Sequence, residues 1–271
     1  MPYANASGVQ LYYQDMGSGE PLLLVHGWPA SSFYWKSVIP LLARSYRVIA
    51  VDLKGFGRSD KPEHASYEMP AMAEDLAALL DALGLSSVNL MGHSMGGMIS
   101  YALTIAHPER VHRLIAVSAP VHGPSAVFPY LRIGTLPGLR TLAFPLSRVQ
   151  FVNRLVSTFF IRDEPVPQEV IEDIAKVTYR SALGSQLSMQ SCDFTQQLAE
   201  IHCPTLLIYG QEDRVITPRQ PLLAKARIPQ SRLEVLECGH CPSVECPEPF
   251  SRLIESFVPT REVGQPLAAT G

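Results

Sequence analysis

Residues Ser87-Val88-Asn89-Leu90-Met91-Gly92-His93-Ser94-Met95-Gly96-Gly97 decide how the chain is read. An apolar run, 87–91, enters a glycine-bracketed serine, and residues 95–107 carry a helical pattern that stops before Pro108. A sharp strand-to-helix turn forces its central residue into a strained backbone. The flanking residues must then lack side chains so that strand and helix can approach. Gly92 and Gly96 meet that need. Ser94 is thereby lifted clear of a sheet edge, above a helix N-terminus whose free N–H groups and positive dipole end favour negative charge.

Working outward, further apolar runs lie at Pro21–Val25, Arg47–Val51, Arg113–Ser118, Pro204–Tyr209 and Arg232–Leu236. Most are rich in Val, Ile and Leu without alternation, the pattern of strands covered on both faces in a parallel sheet. Met72, Leu76, Leu79, Leu80 and Leu83 form one helical stripe, and Gly84 stops it. Strands alternating with helices predict an α/β fold three layers deep, with Val9–Tyr13 as an antiparallel edge strand. The alternation breaks between Pro120 and Ala199, where scattered prolines and large apolar residues predict an inserted helical lobe. The expected organisation is a core over 1–119, a helical cap over 120–199, the rest of the core over 200–260 and a flexible tail over 261–271.

The 271 residues are 46% hydrophobic and 17% charged, which excludes a disordered chain and fits one large domain with an insertion. Lys and Arg number 22 against 25 Asp and Glu, so no basic surplus exists to hold a nucleic-acid backbone. No apolar run approaches the roughly 20 residues needed to span a bilayer. Five cysteines, four of them beyond position 200, argue against a secreted disulfide framework. The start Met1-Pro2-Tyr3-Ala4-Asn5 lacks the basic-then-apolar order of a signal peptide, and the expectation is a cytoplasmic protein. The residues leave the oligomeric state open.

Three further segments extend the turn at Ser94 into a resemblance. They are His26-Gly27-Trp28-Pro29, then Asp52-Leu53-Lys54-Gly55-Phe56-Gly57-Arg58-Ser59-Asp60-Lys61-Pro62, then Gly239-His240 followed by Glu245, Pro247 and Phe250. With these the sequence resembles the α/β-hydrolase family, in its serine-nucleophile branch of esterases and cofactor-free haloperoxidases. The resemblance implies an α/β-hydrolase fold: a mostly parallel central sheet flanked by helices, with an inserted helical cap. It also implies the chain order nucleophile, acid, histidine. Ser94 stands as nucleophile. The acid position follows the strand ending at Tyr209, where Asp213 is the first choice and Glu212 the alternative. Some relatives carry the acid after the strand at 113–118, but Ser118-Ala119-Pro120-Val121-His122 has no carboxylate. Of eight histidines only His240 lies beyond Asp213, and it is the expected base. His26 is expected to shape the oxyanion loop, and His93, His107 and His112 to be structural or exposed. The backbone N–H groups of Trp28 and Met95 are the expected oxyanion donors, worth roughly 3–4 kcal/mol each in the transition state. The Trp28 indole either lines the acyl pocket or packs in the core. Phe128, Tyr130 and Phe144 of the lobe are the other expected substrate contacts.

Some signals point elsewhere. Cys238-Gly239-His240-Cys241 matches a redox dithiol, but it lies after the last predicted strand rather than opening a helix. Cys238, His240, Cys241 and Cys246 are crowded around one histidine, and a zinc site there competes with the base role. A Cys238–Cys241 disulfide displacing His240 is a minor expectation from adjacency. Gly55-Phe56-Gly57 lacks the third glycine and the lysine-serine pair of a phosphate loop. Arg132, Arg140, Arg148, Arg154 and Arg162 read as snorkelling side chains on an apolar lobe, or as a site for a substrate carboxylate or an anionic membrane face.

Serine at 94 narrows the chemistry. The family's dehalogenases and epoxide hydrolases use an aspartate there, and a serine does not substitute in that displacement. Acyl transfer remains: hydrolysis of small to medium apolar acyl or aryl esters through an acyl-enzyme, with lactones and perhydrolysis as related activities. The expected partner is a small-molecule ester, and no metal or organic cofactor is called for. The alternatives are a carbon–carbon bond hydrolase of the meta-cleavage type and a receptor-like member that turns its ligand over slowly.

Overall fold

The computed structural model describes residues 2–126 and 168–259. Phe128, Tyr130, Phe144, the five lobe arginines and the tail 261–271 lie outside the described residues. Among the described residues eight strands form one sheet: β1 (Tyr3–Ala6), β2 (Val9–Met16), β3 (Pro21–Val25), β4 (Arg47–Val51), β5 (Val88–His93), β6 (Val111–Val117), β7 (Thr205–Gly210) and β8 (Ser231–Leu236), in the order β1-β2-β4-β3-β5-β6-β7-β8. β1 and β2 pair antiparallel, as do β2 and β4, and every other pairing is parallel. Val9–Tyr13 is antiparallel as expected, but it is not the edge. β1 covers it, a short exposed strand whose Tyr-Ala-Asn-Ala sequence carries no apolar run.

The absence of alternation in the central strands has its expected cause. Leu23, Val25, Ile49, Val51 and Leu90 face one core, under α2 (Met69–Ala82) and α3 (Met95–Ala106). Leu22, Leu24, Val48, Ala50 and Met91 face a second, against Trp35, Phe250 and Ile254. Each fully buried Leu contributes about 2 kcal/mol, so both faces are strongly specified. Helix α1 (Ile39–Leu42) and the C-terminal pair α7 (Pro242–Glu245) and α8 (Pro247–Phe257) close the second face.

Between β6 and β7 the described residues include α4 (Gln168–Ile174) and α5 (Tyr179–Ser191). Thr178 caps α5 by accepting the Ser181 N–H at 3.1 Å. The helix lies on the 52–67 turn and on the start of α2: Ser188 Oγ accepts the Met69 N–H, and a Cβ at Gly55 would sit 2.6 Å from that of Ser181. Helix α6 (Arg219–Arg227) joins β7 to β8.

Candidate active site

The site is built at the C-terminal ends of β3, β5, β7 and β8, the edge where α/β sheets bind ligands. β5 runs two residues beyond its apolar run, through Gly92 and His93, and Ser94 follows with φ 51° and ψ −115°. That backbone is strained for any side-chain-bearing residue, as a nucleophile turn requires. It is held there because the Ser94 N–H donates to Val117 O on β6 while its carbonyl opens α3. The flanking glycines are sterically enforced. A Cβ on Gly92 would stand 2.3 Å from Gly96 O, and one on Gly96 would stand 2.3 Å from Val25 O.

The loop after β3 abuts this turn. A Cβ on Gly27 would lie 3.1 Å from Ser94 Cβ and 2.7 Å from His93 Nδ1, so the peptide leading to Trp28 rests against the serine. The N–H groups of Trp28 and Met95 find no acceptor among the described residues; Met95 is the first helical residue, whose amide has no intrahelical partner. His26 fixes the loop from below. Its Nδ1–H donates to Gly27 O at 2.8 Å and its Nε2 accepts the Leu53 N–H at 3.1 Å. Burial lowers its pKa, and with both nitrogens engaged it has no proton to exchange. The neighbouring turn is organised around the buried Asp52 carboxylate, which accepts the N–H groups of Ser32 and Arg58.

At the far end of the sheet, His240 Nδ1–H donates to Asp213 Oδ2 at 2.8 Å, with both side chains about 95% buried. Asp213 Oδ1 accepts the N–H groups of Val215 and Ile216 at 2.8 and 2.9 Å. Burial alone pulls the Asp213 carboxyl upward. The His240 ring and these backbone donors outweigh it and hold the group below the ordinary aspartate range. The bond at Nδ1 leaves Nε2 unprotonated in the neutral ring, the form a general base needs. Glu212, the alternative acid, is exposed and does not share this contact. No hydrogen bond joins Ser94 Oγ to His240 directly; such bonds commonly tighten only around a seated substrate.

The two ends meet through His93, which the sequence reading took as structural or exposed and which is buried. Its Nε2–H donates to the His240 carbonyl at 2.9 Å, and the two rings lie 4.8 Å apart. Its position inside the Gly-x-Ser-x-Gly turn was the available signal. Glu245 was seen only as part of a motif; it accepts the Gly239 N–H at 2.7 Å and the Cys241 N–H at 2.9 Å, on either side of His240.

The five cysteines are free. The Cys246 thiol donates to Pro242 O at 3.3 Å, and Cys238 and Cys241 are buried. Among the described residues no group of three or more His, Cys, Asp or Glu is arranged to hold a metal, and no helix is long and apolar enough to cross a membrane.

The family model for the alpha/beta hydrolase fold matches residues 20–247. The chain belongs to the α/β-hydrolase family. This hydrolase is 31% identical over 253 residues to a pimeloyl-(acyl-carrier protein) methyl ester esterase of Aeromonas hydrophila, covering 90% of this chain and 98% of the relative. It is 31% identical over 278 residues to a 2-hydroxy-6-oxo-2,4-heptadienoate hydrolase of Pseudomonas putida, covering 93% and 94%. The bromoperoxidase of Bacillus anthracis superposes with a TM-score of 0.82 at 26% identity, covering 94% of this chain and 98% of that one.

Proposed function

We propose that this hydrolase cleaves carboxylic esters of small to medium apolar acyl or aryl groups through an acyl-enzyme on Ser94. The observation that carries the reading is the buried Asp213–His240 pair at the same sheet edge as a strained serine flanked by two open N–H groups. In this reading His240 Nε2 takes the Ser94 proton as Oγ bonds to the ester carbonyl carbon. The oxyanion is held by the Trp28 and Met95 N–H groups. The carbon–oxygen bond then breaks and His240 returns the proton to the leaving alcohol. Water, deprotonated by His240, releases the acid and restores Ser94. Asp213 holds the ring in the tautomer this sequence needs and stabilises the imidazolium. Peroxide in place of water yields a peracid, the perhydrolysis side reaction.

Trp28 is 36% exposed and directly follows the glycine that abuts Ser94, which supports the acyl-pocket role over core packing. Residues 120–199 are taken as a cap, supported by the seating of α5 on the 52–67 turn. The equal identity to the dienoate hydrolase of Pseudomonas putida favours carbon–carbon bond cleavage as a second reading. A panel of p-nitrophenyl esters of graded chain length, run beside a meta-cleavage dienone acid, separates the two. Turnover of the acid without the esters overturns the ester reading.

A further inference from the structure

Ser94 and His240 are far apart in the chain, and the described structure gives no direct bond between them. What joins the two loops is the His93 ring. Its peptide is continuous with the nucleophile, and its Nε2–H reaches the carbonyl of His240 itself. A carbonyl only accepts, so the His93 proton sits on Nε2 and Nδ1 carries a lone pair. Nδ1 is buried without a partner among the described residues, and a Cβ on Gly27 would lie 2.7 Å from it. The ring is stacked on Tyr34 at 4.4 Å, 18° from parallel, which fixes its plane.

We infer that His93 is a positioning residue that ties the base-bearing loop to the nucleophile turn while remaining uncharged throughout turnover. Glu245 completes the tie by bracing the N–H groups on both sides of His240, so that three consecutive residues of the loop are held by side chains.

Neutrality matters to this role. A second proton on His93 would need Nδ1, which is buried and meets no acceptor among the described residues. The charged and titratable groups facing the ring are His240, Asp213 and His26, with Tyr34 stacked on it. Burial, then the charge of the neighbouring His240 ring, push His93 down to about 3, against the weaker upward pulls of its bond to the His240 carbonyl and of Asp213. When His240 becomes an imidazolium, its ring neighbour at 4.8 Å therefore adds no like charge. His93 also has no free proton for Ser94 or a leaving group.

The inference rests on the serine-hydrolase reading for its kinetic arm and stands apart from it for its spectroscopic arm. In the intact protein with nitrogen-15 histidine, one ring is expected to show a protonated Nε2 and a bare Nδ1, unchanged from pH 7.5 to 5, and to vanish in His93→Phe. A ring at 93 that titrates in that range overturns the inference. In kinetics with p-nitrophenyl acetate, and in the rate of fluorophosphonate labelling of Ser94, His93→Phe keeps the stack and loses the donor. Its kcat and labelling rate are expected to fall on the order of 10- to 100-fold with KM within about twofold, the size of effect a slight misplacement produces. His93→Gln, whose amide N–H reaches the same carbonyl, is expected to recover most of the loss. Equal loss in both variants, or loss in neither, overturns the positioning role. A wild-type protein that neither turns over esters nor takes the label removes the ester reading instead, and the nitrogen-15 spectra then decide on His93 alone.

Discussion

At Ser94 two requirements conflict, and the backbone records the compromise. The reaction needs a hydroxyl at a position whose φ of 51° and ψ of −115° suit only glycine. Ser94→Ala is expected to abolish turnover, a loss on the order of 10⁶-fold, while the melting temperature hardly moves. Ser94→Gly should be equally inactive yet more stable than Ser94→Ala by about 1 kcal/mol, because it relieves the strain. Urea melts of the two inactive variants check this, and equal midpoints would show that the turn stores no strain. His240→Ala should cost activity about as much as Ser94→Ala. Asp213→Asn should cost somewhat less, about 10⁴-fold, since its neighbours still shape the loop. The strained turn at Ser94 and the bond between Asp213 and His240 were legible, because the turn context and the chain order implied by the family resemblance point to those positions. The link through His93 was not, because it is a hydrogen bond to a carbonyl 147 positions away: the turn marked the residue but not its partner.

At the scale of elements, the site depends on how closely α3 approaches β3. A Cβ on Gly96 would meet Val25 O at 2.3 Å and His26 O at 2.5 Å, both backbone atoms that side-chain motion does not relieve. Gly96→Ala must push the helix from the strand and pull the loop at Trp28 away from Ser94. The expected result is a loss of about 1–3 kcal/mol in stability together with a fall in kcat. Gly84→Ala is the matched control. Its φ is +66° but no atom lies within 4 Å, so only backbone strain is added, far from the site. If both variants lose stability but keep kcat, the packing of α3 does not set the oxyanion loop. Helix α7 has a similar task at the other end, presenting Glu245 to two buried N–H groups. Glu245→Ala orphans both, at about 1–3 kcal/mol each. The buried strands were readable because burial on both faces leaves an unbroken apolar run. β1 was not, since a short strand open to solvent needs no such run, and the extension of β5 through Gly92 and His93 was hidden by residues chosen for the turn.

For the whole molecule, the buried histidines set how the fold responds to acid. His26 and His93 lie in the core as neutral rings, lowered chiefly by burial, His93 to about 3. In the unfolded chain each binds its proton near pH 6.5. Below that pH the unfolded state holds more protons than the fold, so stability present above 6.5 is lost as the pH drops, until the folded pKa is reached. Each such ring adds a slope approaching about 1.4 kcal/mol per pH unit. Asp213, held below the ordinary range, adds a loss with the same sign, but only below about pH 4. Asp75 acts in the opposite direction there: burial raises it despite its contact with Lys54, so its protonation favours the fold. The window from pH 6.5 to 5 therefore isolates the rings. Unfolding free energies from urea melts should fall across it, and His93→Phe should lower the slope by up to about 1.4 kcal/mol per pH unit. An unchanged slope would mean that the ring protonates inside the fold as readily as outside, and the neutral link between the two loops would be lost with it.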